Sequence, residues 1–242
     1  LWREEHKVIL TMKEYPILFS GEMVQAILDG RKTQTRRVIK DQPALPYLWN
    51  KVSPNGFQMW TSNPQQGEKG NTELRLCPYG APGDSLWVRE SCQIYGHWVK
   101  SGHTKSGAQR WKFSIHASKQ VLYAGSFVKS PSNKTQLGFY RRPSIFMPRW
   151  ASRILLEVTD VRVERVQEIN DEDARKEGVQ DICHCGDYIE VHGYHSGHSP
   201  TPMDGYAANE FSILWDSINA KRGHSWESNP WVWVVGFKVV KP

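Results

Sequence analysis

Residues 231 to 240, Trp-Val-Trp-Val-Val-Gly-Phe-Lys-Val-Val, constrain the fold of this chain more than any other stretch, because so dense a run of β-branched and aromatic residues belongs in a sheet. Ile154 to Val166 is a second long β-branched alternation, and Ser85 to Glu90 is a third strand that follows a Pro82-Gly83-Asp84 turn. Together they read as walls of a small barrel. Trp231 and Trp233 are two apart, so they share a face and suit its core, whereas Trp49, Trp60, Trp98 and Trp111 fall in or near loops, where base stacking is open to them.

Three helices accompany the strands. The first begins at Ser20, a natural N-cap, places Glu22 at the positive dipole end and Met23, Ala26 and Ile27 on an apolar stripe, and stops at Gly30. The second spans Asp171 to Glu177, with Asn170 as cap and Gly178 as stop. In the third, Tyr206 to Asn219, the residues Ala207, Phe211, Leu214, Trp215 and Ile218 recur at helical spacing and so pack on the barrel. The fold class is α+β, in one domain from residue 12 to 242. Residues 1 to 11, ahead of Met12, read as an N-terminal extension or a remnant of expression. Polar stretches near 41 to 75, 100 to 138 and 180 to 204 read as long loop insertions.

A formal charge of +6 and a pI near 9.1 favour a polyanionic partner such as nucleic acid, and the excess reads as spread along the chain. No apolar run approaches the roughly 18 residues that span a bilayer, so the expectation is a soluble, cytoplasmic protein with no membrane partner. Four cysteines are too few for a disulfide scaffold, and reduced thiols are expected. Cys183-His184-Cys185, followed by His192, His195 and His198, offers soft donors for zinc, but Cys-x-Cys is tighter than the usual pair and the histidines lie in a glycine-rich loop. The expectation is no metal and no organic cofactor, since the P-loop, GxGxxG, HExxH and GxSxG signatures are also missing.

The chemistry points instead to the segment after the first helix, where Arg31, Lys32, Arg36 and Arg37 surround Thr33 and Thr35. Cations this close repel unless an anion or a reaction uses them, although a solvated basic strand has the same composition. A threonine nucleophile needs a base, and Lys32 can serve if its arginine neighbours and partial burial push its pKa down. In a continuous strand Lys32 and Thr35 face opposite ways, so they can meet only if the chain turns at Gly30 to Lys32 and the strand starts near Thr33. Thr33 and Thr35 then share a face, and either can be the nucleophile.

The run Ile-Leu-Asp-Gly-Arg-Lys-Thr-Gln-Thr-Arg, then Pro-Gly-Asp-Ser-Leu-Trp-Val-Arg-Glu, Glu-Val-Thr-Asp-Val, Asp-Ala-Arg-Lys-Glu-Gly-Val and Trp-Val-Val-Gly-Phe, in that order, resembles the ASCH domain of the PUA-like superfamily. The resemblance covers most of residues 16 to 240 and is greatest to phage and prophage versions with long insertions. It implies a small, partly open β-barrel with flanking helices and a cleft for RNA or a nucleoside. Small bacterial members hydrolyse N4-acetylcytidine with a lysine, a threonine and a glutamate, and those roles fall here on Lys32, Thr35 and Glu177. Glu177 would sit in the last turn of its helix, where the dipole disfavours a carboxylate, as suits a group that passes protons. Arg31, Thr33, Arg36, Arg37 and Arg89 would then hold phosphate or base edges. Two other activities go with the same resemblance: ribonuclease cleavage in a basic cleft, and nucleic-acid binding without catalysis.

Overall fold

The computed structural model describes residues 12–42, 47–50, 57–62, 72–179 and 206–241. The chain runs through β1 (Glu14–Leu18), α1 (Gly21–Leu28), β2 (Gln34–Val38), β3 (Tyr47–Asn50), β4 (Phe57–Ser62), β5 (Thr72–Leu76), β6 (Ser85–Arg89) and β7 (Cys92–His103). It continues through β8 (Gln109–Ile115), β9 (Val121–Leu122), β10 (Gly138–Arg142), β11 (Leu155–Arg165), α2 (Asp171–Lys176), α3 (Tyr206–Asn219) and β12 (Trp231–Lys241). The expected helices and the three expected strands are all present. The class is α+β: a mixed five-stranded sheet, two antiparallel sheets and a few helices.

The main sheet has the order β1-β6-β11-β12-β2, parallel only between β1 and β6. The hydrophobic density of β12 follows from burial on both faces. Trp233, Val235 and Phe237 join one core with Ile17, Phe19, Val24 and Ile27, and Val232 and Val234 join another with Ala174, Phe211 and Trp215. Each such side chain contributes roughly 1.5–3 kcal/mol on burial. In β11 the register shifts between Val158 and Asp160, and that bulge returns Val161 and Val163 to the core that Leu156 and Val158 already face.

Among the described strands the sheet does not close into a barrel, because its edges β1 and β2 do not pair. A side chain spans the gap instead: Arg37 Nη2 donates to Leu18 O at 2.6 Å. The stripe of α1 is present and wider than expected: Val24 is buried with Ala26 and Ile27, and Met23 packs half-buried against the same core at the edge of a cavity.

Two of the three stretches read as loops contain strands. Residues 41–75 hold the sheet β3-β4-β5, and residues 100–138 complete β7 and hold β8 and β9. In β8 the period of two is present, with Arg110 and Lys112 exposed between the half-buried Trp111 and Phe113, but its polar outer face gives the segment a loop-like composition. Residues 180–204, with Cys183, Cys185, His192, His195 and His198, lie outside the described residues, as do the side chains of Trp49 and Trp60. Among the described residues no group of three His, Cys, Asp or Glu could hold a metal, and no helix is long and apolar enough to cross a membrane. Cys77 and Cys92 are free and buried, and burial pushes their thiols up to about 12 and about 11.

Candidate active site

The turn required between α1 and β2 is present. Gly30 adopts a left-handed φ of +74°, and the backbone N–H groups of Arg31 and Lys32 both donate to Ala26 O at 2.9 Å. The strand then begins at Gln34, so Lys32 precedes it and Thr35 lies within it. Thr33 fastens the junction on both sides: its N–H donates to Lys176 O at 2.9 Å, and its carbonyl accepts from Phe237 N at 2.8 Å. Lys32 is thereby held against the C-terminus of α2.

Lys32 is only 1% exposed. Its Nζ donates to Glu177 O at 2.7 Å and to Glu177 Oε2 at 2.9 Å, and lies 5.7 Å from the centroid of the Phe19 ring. Burial drives the Lys32 pKa below its ordinary 10.5, the Glu177 carboxylate opposes this, and Arg37 and Arg36 add to the fall. Burial outweighs the arginines, and Arg31 plays no part. Glu177 caps the C-terminus of α2, is 4% exposed, and accepts from Arg36 Nη1 at 3.4 Å on its second oxygen.

Gly178 makes this approach possible. Its φ is +92°, and a Cβ there would stand 3.1 Å from Ala26 Cβ and 3.2 Å from Lys32 Cβ. Gly178→Ala is expected to lower stability by about 2 kcal/mol, read as a lower midpoint in denaturant at unchanged slope. An unchanged midpoint would show that the α2 terminus is not held against Lys32.

Most of the basic run is neutralised by carboxylates within the protein. Arg36, whose side chain is fully buried, pairs with Glu164 at 2.8 Å and Asp173 at 3.0 Å as well as with Glu177. Arg162 closes the network on Asp173 at 2.6 Å and on Glu164. Burial raises the Asp173 pKa, but the Arg36 hydrogen bond and the charges of Arg162, Arg36 and Lys176 outweigh it, so the pKa lies below 3.8. Arg31 pairs with Asp29 at 2.9 Å and donates to Gly178 O at 3.3 Å.

Beside this network lies a cavity of about 210 Å³, lined by Thr35, Arg37, Tyr79, Glu177, Trp215 and Arg222 among others. β2 is an edge strand, so the cavity reaches both of its faces: Thr35 and Arg37 share one with Trp233 and Val235, and Arg36 shares the other with Val234. The Thr35 side chain is buried at the cavity wall, and its hydroxyl has no hydrogen bond to the described residues.

Compared with protein-family models, curated proteins and solved structures, the chain matches none. The site therefore has to be read from its own geometry.

Of the residues singled out in the sequence, Glu177 is common to two pairings: it lines the cavity with Thr35, and it holds Lys32, which does not line the cavity. Thr33 is exposed and does not line the cavity. Arg31 is also outside it, and Arg36 borders it but is held by three carboxylates. Although its register partner Leu18 accepts from Arg37, Arg89 does not line the cavity. Its guanidinium lies over Trp87 and donates to the carbonyls of Ser144 and Ile145. Of the four arginines, only Arg37 lines the cavity without a carboxylate partner among the described residues. Burial lowers its pKa, Tyr79 and Glu177 oppose that, and Arg222 adds to it.

Arg222 was not singled out by sequence reasoning. It precedes Gly223, a left-handed stop at φ +82°, so the Lys221-Arg222-Gly223 helix end was readable. Its placement beside Arg37, 185 positions earlier, had no local signal. Neither Arg37 nor Arg222 has a carboxylate hydrogen bond or ion pair among the described residues. Two guanidiniums without a carboxylate hydrogen bond, with Tyr79 and Trp215 in one cavity, suit a planar ligand that offers carbonyl or anionic acceptors.

Proposed function

We propose that this chain is an ASCH-type, PUA-like hydrolase that removes the acyl group from a modified nucleoside of the N4-acetylcytidine type, free or within RNA. The pairing of buried Lys32 with Glu177, which lines one cavity with Thr35, carries the reading. The five-stranded sheet, its edges bridged by Arg37 and Leu18, suits a partly open barrel.

The reaction starts from the form in which the Lys32 amine is free. Burial lowers the Lys32 pKa toward that form. The amine takes the Thr35 proton as Thr35 Oγ1 attacks the acyl carbon, and Arg37 and Arg222 donate to the carbonyl oxygens of the modified base. The Lys32 ammonium passes that proton to Glu177, and the C–N bond breaks as Glu177 protonates the leaving amine, which leaves an ester on Thr35. The Glu177 carboxylate then takes a proton from water, hydroxide attacks the ester, and Thr35 recovers that proton from Glu177 by way of Lys32. Acetic acid leaves, and both groups return to their starting forms.

Incubating the protein with N4-acetylcytidine and following cytidine by chromatography tests the reading. Cytidine should appear, and kcat/KM should rise with pH through one ionisation below 10.5 as Lys32 loses its proton. No turnover overturns the reaction. A second reading, a cavity that binds a modified nucleoside without cleaving it, is favoured by the two hydrogen bonds that already tie Lys32 to Glu177. Saturable binding of unchanged N4-acetylcytidine is its signature.

A further inference from the structure

The positive charge of this chain is not spread along it. Residues 91–156 contain 11 of its 31 Lys and Arg and none of its 25 Asp and Glu, so this segment carries +11 and the remainder, with 20 bases and 25 acids, carries −5. The segment folds as the second sheet, in which β7 pairs with β10, β8 and β9. Arg149 and Arg153 reach out of it to pair with Glu14 and Glu90. The other nine cations have no carboxylate partner among the described residues.

The register sorts the side chains of this sheet onto two faces. Trp98 opposite Phe113, and Ile94 opposite Tyr140, share the side on which Cys92, Met147 and Ala151 form a small core. Tyr95 lies opposite Phe139, Gln93 opposite Arg141, and Val99 opposite Lys112, so these point the other way, with His97 and Arg110 in phase. On that outer face Tyr95 and Phe139 are half-buried rings 5.1 Å apart, with His116 edge-on to Tyr95 at 5.3 Å. Arg141, two residues from Phe139, and Lys112 and Arg110, further along the face beyond Val99, are exposed. His97 adds a buried Nδ1 that has no hydrogen-bond partner.

We infer that the outer face of β7, β8 and β10 binds single-stranded nucleic acid. Tyr95 and Phe139 stack bases, and Arg110, Lys112 and Arg141 take the phosphates. An acid-free sheet favours a polyanion, and aromatic rings among cations favour one whose bases are unpaired. A duplex keeps its bases inside and would use the charge alone. This surface is independent of the Thr35 cavity, and it would deliver a strand to the protein whether or not that cavity cleaves anything.

The test is fluorescence anisotropy with labelled twelve-nucleotide oligo(U) and oligo(dT) across a salt series, on the intact chain and on an Arg110→Gln/Lys112→Gln/Arg141→Gln variant. Binding of either oligomer is expected, and the tighter one tells ribose from deoxyribose. The variant should flatten the slope of log K against log salt by about 2, since each neutralised phosphate on a single strand contributes about 0.7. Tyr95→Leu/Phe139→Leu should weaken binding at least about tenfold at any one salt. Should that pair disturb the fold, seen by near-ultraviolet circular dichroism, the charge variant alone decides. Thr35→Ala should leave binding unchanged, and the charge variant should leave turnover of the free nucleoside unchanged, so failure here and failure of the hydrolase reading are distinct. Three results overturn the inference: an unchanged salt slope in the charge variant, duplex bound as tightly as single strand, or adsorption to phosphatidylserine vesicles without oligonucleotide binding.

Discussion

Thr35→Ala is expected to lower kcat for N4-acetylcytidine by roughly a thousandfold while KM changes little, whereas Thr35→Ser should stay within about tenfold of the parent. The split follows from the division of the cavity. In the proposed reaction Thr35 would supply the atom that bonds to the acyl carbon, and Arg37, Tyr79 and Arg222, which also line the cavity, would bind the nucleoside. A thousandfold loss corresponds to about 4 kcal/mol at the transition state, far more than a lost contact to the ground state accounts for. Thr35→Val separates chemistry from packing, because it keeps the branched shape beside Val235 and removes only the oxygen. Stability close to the parent with turnover lost places the hydroxyl in the reaction. Turnover by Thr35→Val at the parental rate would sink the acyl-enzyme.

What could be read from the sequence depended on how local each cause is. The stop at Gly30, the Asn170 cap and the hydrophobic run of β12 each depend on a few neighbouring residues, and each appears in the fold as expected. The fate of Arg36 was not legible, because its partners Glu164 and Asp173 lie 128 and 137 positions away. A run of four bases therefore looked like a bid for an external anion, when the fold neutralises most of it. β8 shows another kind of miss: its burial alternates from Gln109 to Phe113, but the two exposed cations, Arg110 and Lys112, give the strand the composition of a polar loop. The acid-free span from 91 to 156 required only counting, and it reverses the expectation of an even spread of charge. The charge relevant to an outside polyanion lies mainly on the second sheet, and the charge beside the cavity is mostly internal.

Glu177→Gln is expected to lower stability by about 3–5 kcal/mol, more than any other substitution considered, because it leaves Lys32 buried with no carboxylate. Arg36 loses less, since Glu164 and Asp173 still hold it. Lys32→Met should cost less than Glu177→Gln, because the carboxylate keeps Arg36 as a partner at 3.4 Å. The Lys32→Met/Glu177→Gln double variant should then be more stable than Glu177→Gln alone, with a coupling of roughly 1–3 kcal/mol, and it should remain inactive. The pH dependence fixes the sign independently. A lysine whose pKa is lower folded than unfolded binds fewer protons in the native state, so stability rises with pH from the folded pKa up to about 10.5. Removing Glu177 removes the group that opposes this fall, so the window widens and Glu177→Gln should gain more stability on going to high pH than the parent does. Denaturant midpoints at several pH values measure both effects. A constant gap between Glu177→Gln and the parent across pH, or strict additivity in the double variant, would mean that Lys32 and Glu177 are not coupled in solution, and the proton exchange between them on which the hydrolase reading depends would fail with it.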